Sequence, residues 1–145
     1  MNFDIAQAQF GFRPPVTKPT HKVLQELTEE GMRVLVSKHY DKLRQSDIAN
    51  LFPTSDEGFE LAKKHSSDFF IQICGGYPYF NESRGAPRMA GRHQPFRIDA
   101  HARQVWLELY IPLLKELKEE GISEESIKSL WDYLNIFSLW MINTQ

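Results

Sequence analysis

One histidine stands in a setting that could hold a metal. His93 lies in Gly91-Arg92-His93-Gln94-Pro95-Phe96, where Pro95 stops any helix from running on. A histidine at a helix end is a good metal ligand, and the adjacent Arg92 can meet an anionic group carried by whatever holds that metal. The other chemistry-bearing patterns are missing. There is no His-Glu-x-x-His for zinc and no Glu-x-x-His pair for a di-iron bundle. There is no Gly-x-Ser-x-Gly elbow and no phosphate-binding glycine loop. Cys74 is the only cysteine, so neither an intramolecular disulfide nor a cysteine-rich zinc site can form. Its lack of a partner makes a reducing, cytoplasmic setting the expectation. The N-terminus has no basic region followed by an apolar stretch, so no secretory signal is expected there.

The elements that must position His93 are helical. Residues 1–19 show no sustained period and contain Gly11, Pro14, Pro15 and Pro19, so they read as a loose arm. Residues 20–145 read as one domain. Thr20 and Thr28 are candidate caps for two successive helical stretches, with Val23, Leu24 and Leu27, then Met32, Leu35, Val36, Tyr40 and Leu43, at helical spacing. One further turn is expected over Asp47 to Leu51. Thr54-Ser55-Asp56 announces a helix whose face is Phe59, Ala62, Ser66, Phe69, Phe70 and Ile73, and Gly75-Gly76 ends it as a left-handed cap would. Residues 75–86 read as a loop with no evident packing role. Pro87 opens a short helix that reaches about His93.

Asp99 caps a long helix carrying Ala102, Val105, Trp106, Leu109, Leu113 and Leu117, in which Pro112 predicts a kink or a shift of direction. Gly121 ends it. Ser123 starts the last helix, with Ile127, Leu130, Tyr133, Leu134, Phe137 and Met141 on one face. No stretch alternates as a strand does. The expected class is therefore all-α.

The apolar faces are rich in aromatics: Tyr40, Phe52, Phe69, Phe70, Phe80, Phe96, Trp106, Tyr133 and Phe137. Such faces suit a plain core, and they suit a flat ligand as well. One well-placed histidine and many aromatics in a helical frame fit haem held by a proximal histidine. The net charge of −2 with dispersed basic residues argues against a nucleic-acid binder. No apolar run is long enough to span a bilayer.

The central stretch closely resembles the second group of truncated haemoglobins. It runs Gly75-Gly76-Tyr77-Pro78-Tyr79-Phe80-Asn81-Glu82-Ser83-Arg84-Gly85-Ala86-Pro87-Arg88-Met89, then Arg92-His93-Gln94-Pro95-Phe96-Arg97-Ile98, then Ala102-Arg103-Gln104-Val105-Trp106-Leu107. Trp131-Asp132-Tyr133-Leu134 resembles the family's last helix. The likeness covers roughly residues 28–143. It implies a truncated-globin, two-over-two helical sandwich around haem b, with iron protoporphyrin IX as the cofactor. Carried over by position, His93 is the proximal iron ligand. Tyr40 and Trp106 donate hydrogen bonds to a bound diatomic ligand. Phe52 packs on the haem face, Ala62 and Ser66 sit on the distal helix, Phe69 and Phe96 line the pocket, and Arg92 meets a propionate. His65 lies near the same distal face and is an alternative sixth ligand to Tyr40 or water. Where the family often has a glycine pair between its first two helices, this chain keeps only Gly31.

The resemblance implies binding of dioxygen and other diatomic ligands, in the role of oxygen carrier, store or sensor. The alternative is a haem enzyme that converts nitric oxide with oxygen to nitrate or reduces peroxide, drawing electrons from an external reductase. Neither nucleic acid nor membrane is an expected partner.

Overall fold

The computed structural model describes residues 1–145, and their regular structure is helical throughout. The first long helix, α1 (His21–Arg44), is broken at Thr28, which leaves helical geometry at φ 69° and ψ 168°. Its Oγ1 accepts a hydrogen bond from Gly31 N–H at 3.2 Å. Thr28 therefore caps the second half of α1, as the sequence suggests. Thr20 holds the N-cap position of the first half, but its hydroxyl makes no capping bond.

A single turn of 3-10 helix at Ala49–Leu51 follows. Ser55 then caps α2 (Asp56–Ile73) by accepting from Gly58 N–H at 3.1 Å, and Asp56 and Glu57 sit in its positive first turn. Two bonds close α2, Gly75 N–H to Gln72 O and Gly76 N–H to Ile71 O, with Gly75 at φ 87°. That pattern is a Schellman cap, which needs a left-handed residue at Gly75.

The segment read as a loop over 75–86 contains a helix, α3 (Tyr79–Arg84). Pro78 precedes it and Gly85 ends it, so the breakers bound the helix and do not interrupt it. Phe80, 2% exposed, anchors it to the core. Gly75-Gly76 also has a packing role, contrary to the reading from sequence. A Cβ on Gly76 would stand 2.5 Å from Leu24 Cδ2 and 2.8 Å from Ile71 O, so only glycine lets this turn lie on α1.

The short α4 (Met89–Arg92) leads into His93. Asp99 caps α5 (Ala100–Glu119) by accepting from Ala102 N–H at 2.8 Å. The helix continues through Pro112, for which the sequence predicts a kink or a change of direction. Ser123 caps α6 (Glu124–Phe137) in the same way, through Ser126 N–H, and a short 3-10 turn, Ser138–Met141, ends the helical part.

The long helices form two pairs, α1 with α2 and α5 with α6, and α1 also packs on α5 and α6. This is the two-over-two sandwich the resemblance implies. Its core draws Met32, Val36, Ile71, Leu107, Leu114, Trp131 and Leu134 from all four. No helix is long and apolar enough to cross a membrane.

Residues 1–19, read from sequence as a loose arm, form no helix but lie fastened along α5 and α6. Trp131 Nε1 and Asn135 Nδ2 both donate to Asp4 O, at 3.1 and 2.8 Å. Arg103 Nη1 donates to Ala6 O at 2.9 Å, and Trp140 Nε1 to Pro14 O at 2.8 Å. Phe3 packs edge-on against Trp131. Indole and guanidinium donors on two helices thus meet the arm's carbonyls, an anchorage that no periodicity in residues 1–19 announces.

Candidate functional site

Between α2, the α3–α4 segment, α5 and the end of α6 lies a mostly apolar cavity of about 560 Å³. That is within the range of small-molecule and cofactor sites, roughly 300–1,000 Å³. It gathers every residue singled out from the sequence: Tyr40, Phe52, Ala62, Ser66, Phe69, Arg92, His93, Phe96 and Trp106, with His65 beside them.

His93 ends α4, where its own N–H bonds Met89 O at 3.1 Å. Its ring Nδ1 lies 2.6 Å from the same carbonyl. A carbonyl can only accept, so Nδ1 carries the hydrogen and Nε2 keeps its lone pair for a metal. Asn143 Nδ2 donates to His93 O at 3.1 Å and to Phe96 O at 2.9 Å, which fixes the turn that carries the ring. No group of three or more His, Cys, Asp or Glu side chains forms a metal cage. Two imidazoles, those of His93 and His65, reach the apolar cavity, and only His93 has its Nδ1 hydrogen fixed by a carbonyl. One ring fixed in this way suits a metal that brings its other ligands with it, as iron in a porphyrin does.

The polar groups of the wall formed by α1, α2 and α5 are few and well held. Tyr40 is wedged between Phe52 and Phe59, with ring centroids at 5.4 and 5.8 Å. Burial raises the pKa of its phenol above the ordinary value, and a hydrogen-bonding interaction with Ser66 works against that rise. The hydroxyl therefore stays protonated and able to donate. Phe59 is itself flanked by the cations of Arg44 and Lys63, at 4.4 and 5.1 Å from its ring centre. Lys63 reaches back to Asp41 and Ser37 of α1, tying the two helices behind Tyr40.

Trp106 is held from behind. His39, fully buried, hydrogen-bonds its carbonyl oxygen and stacks on Tyr110 at 3.5 Å. The Trp106 ring meets both His39 and Tyr110 edge-on, at 5.4 and 5.0 Å.

One corner of the cavity is basic. His65 Nδ1 is buried there without a partner. Burial lowers its pKa, and the charges of Arg84, Lys64 and Arg92 add to that, offset in part by Asp68. Arg92 spends Nε and Nη2 on the carbonyls of Pro87, Arg84 and Ala86, so it braces the loop as well as lining the cavity. An orphaned ring nitrogen among arginines fits an acidic edge of a ligand, such as the propionates of haem.

Sequence reasoning missed several wall residues: Arg84, Met89, Ile98, Arg103, Ser138 and Met141. Arg84 reads as a surface charge in one dimension. Arg103 carries the one available signal, since a cation among the apolar positions of α5 must find partners inside. It does so in Ser138, Asn135 and Ala6.

A helical sandwich that closes on an apolar cavity lined by two histidines and many aromatic rings has the form of a haem pocket of the globin type. The sequence profile of bacterial-like globins matches residues 27–143. The chain belongs to that family, and its relatives there are group II truncated haemoglobins. A group 2 truncated haemoglobin of Bacillus subtilis (strain 168) is 26% identical over 120 residues, covering 82% of this chain and 86% of that one. Two-on-two haemoglobin-3 of Arabidopsis thaliana is 37% identical over 54 residues, covering 37% of this chain and only 31% of its own length. Among solved structures, phosphate-bound Hell's gate globin IV superposes with a TM-score of 0.85 at 38% identity, over 97% of this chain and 86% of that one. The haemoglobin of Chloroflexus aurantiacus gives 0.73 at 28% identity, over 90% and 99%. Membership implies haem-based binding of diatomic ligands.

Proposed function

We propose that the chain binds haem b through His93 Nε2 and that the bound haem would take dioxygen or nitric oxide, with Tyr40 and Trp106 as the hydrogen-bond donors to the ligand. The observation that carries this reading is the Nδ1–H bond from His93 to Met89 O, which leaves Nε2 free on the cavity wall. When bound, the haem supplies an iron centre that takes up a diatomic ligand. The protein supplies the rest. Phe52, Phe69 and Phe96 give the macrocycle apolar surface, with Ala62 leaving room on α2. Arg92, Arg84 and His65 offer positive charge and an unpaired ring nitrogen to the propionates. Tyr40 O–H and Trp106 N–H stabilise negative charge on the ligand in a site with little water to compete. Two donors on one ligand favour tight binding and slow release, which suits a store or sensor in a cytoplasmic setting better than a bulk carrier.

The test is spectroscopic. Purified protein reconstituted with haem gives a Soret band, and His93→Ala abolishes or strongly shifts it while His65→Ala keeps the wild-type ferrous spectrum. An unchanged ferrous spectrum in His93→Ala refutes the assignment of the iron ligand.

A further inference from the structure

The segment that carries His93 has a charge pattern that haem binding does not use up. Residues 83–98 hold four arginines, Arg84, Arg88, Arg92 and Arg97, and no carboxylate, on a chain whose net charge is −2. Most other buried or half-buried cations of the fold are paired: Arg33 with Asp68, Arg44 with Asp56, and Lys63 with Asp41. None of the four arginines has an acidic side chain within ion-pair distance. Arg84 and Arg92 line the cavity and lie over Phe80. Arg88 and Arg97 are exposed and line no part of it. Between them in sequence lies Phe96, 44% exposed, whose ring also reaches the cavity.

Arg88 adds an independent observation. It stands in the left-handed region at φ 43° and ψ 51°. For a residue with a long side chain that costs about 1–2 kcal/mol, where glycine or asparagine would relieve it. Strain of this kind is retained where the side chain has a use. Here nothing inside the protein uses it.

We propose that Arg88, Phe96 and Arg97 form the docking face for a small acidic electron-donor protein that reduces the iron held at His93. The inference rests on the haem reading above. The fit is one of charge and size. Exposed, unpaired arginines and one exposed aromatic ring within ten residues of chain offer a small polar contact with an apolar centre, the kind that weak redox complexes use. Unpaired positive charge steers an acidic partner to an edge where the cavity wall, at Phe96, reaches the surface. The step is a single electron transfer. The donor's reduced flavin is oxidised by one electron, ferric iron becomes ferrous, and no bond is made or broken.

The test uses haem-loaded ferric protein and a purified acidic flavodoxin, reduced to its hydroquinone and followed by stopped flow. The rate constant for reduction is expected to fall steeply as salt rises from about 10 to about 200 mM. Arg88→Asn with Arg97→Gln should lower the low-salt rate about tenfold and flatten the salt dependence. The melting temperature should hold or rise, because asparagine tolerates the left-handed backbone at 88. Reduction by free reduced lumiflavin, which needs no docking face, should be unchanged. Equal flavodoxin rates in wild type and variant overturn the proposal. So does an equal loss with lumiflavin, which would put the arginines at the haem instead. Binding of the chain to phosphatidylserine vesicles but not to flavodoxin also overturns it. If haem gives no Soret band, the haem reading is what has failed. Calorimetric titration of the chain with oxidised flavodoxin then decides the docking face: binding lost in the double variant upholds it, and equal binding overturns it.

Discussion

His39 hydrogen-bonds the carbonyl oxygen of Trp106 through Nε2 at 2.9 Å, from a position with no exposed surface. The bond puts the ring hydrogen on Nε2 and leaves Nδ1 as a buried acceptor without a donor. Burial depresses the pKa to about 3 from 6.5. The unfolded chain takes up a proton on this residue below pH 6.5, whereas the folded chain resists until about pH 3. The contribution of His39 is thus fully present above pH 6.5 and is lost as pH falls through that window. Its share of the slope is close to one proton, about 1.4 kcal/mol per pH unit. His39→Phe keeps a ring against Tyr110 and removes the titration. Urea midpoints measured from pH 7 to pH 4.5 should fall less steeply in the variant than in wild type. Parallel curves would show that His39 is protonated in the folded state.

Tyr40 and Trp106 approach the cavity from different helices, α1 and α5, and each is packed against two other rings. Neither can swing away cheaply. A net hydrogen bond contributes about 0.5–1.5 kcal/mol, which is about two- to tenfold in a rate of release. Tyr40→Phe and Trp106→Phe should each raise the oxygen dissociation rate by about that factor, and the double variant by less than the product if both donors share one acceptor. Flash photolysis or stopped-flow displacement reads this directly. Off-rates equal to wild type in both single variants would remove these residues from ligand binding.

The parts of the fold legible in the sequence were those fixed by local chemistry. Ser55, Asp99 and Ser123 cap helices because their short side chains reach the third N–H of the turn, a pattern of a few residues. Apolar periodicity marked the four long helices. Phe80 shows where this stops. It lies among Gly and Pro breakers, and α3 is held by contacts distant in sequence, Phe80 against Phe69 and Tyr79 O–H to Glu29, which no local pattern announces. Gly76 was visible as a helix stop, but its closeness to Leu24, far away in sequence, was not. The same holds for the cavity. The motif brought His93, Trp106 and Tyr40 to notice, while Arg103 and Ser138 enter the wall only through contacts across α5 and α6.

The arm ties into that wall through Arg103, and this makes its contribution measurable. Arg103 is 3% exposed, and its guanidinium uses Ala6 O, Ser138 Oγ, and both oxygens of Asn135 as acceptors. Burial works against its charge, so each acceptor matters. Removing residues 1–12 deletes Ala6 O, and it deletes Asp4 O, which accepts from Trp131 and Asn135. A hydrogen bond to a charged group contributes about 1.5–3 kcal/mol, so the truncated chain should lose at least about 2 kcal/mol in urea denaturation. Because Arg103 and Ser138 both line the cavity, the loss should also appear at the pocket, as faster haem transfer to an apo-globin acceptor. Arg103→Lys keeps the charge but cannot reach every acceptor at once, and it should fall between the wild type and the truncation. If truncation changes stability but leaves haem loss untouched, the arm braces α6 alone. If neither changes, its hydrogen bonds exchange with water at no cost, and the arm has no part in holding the pocket.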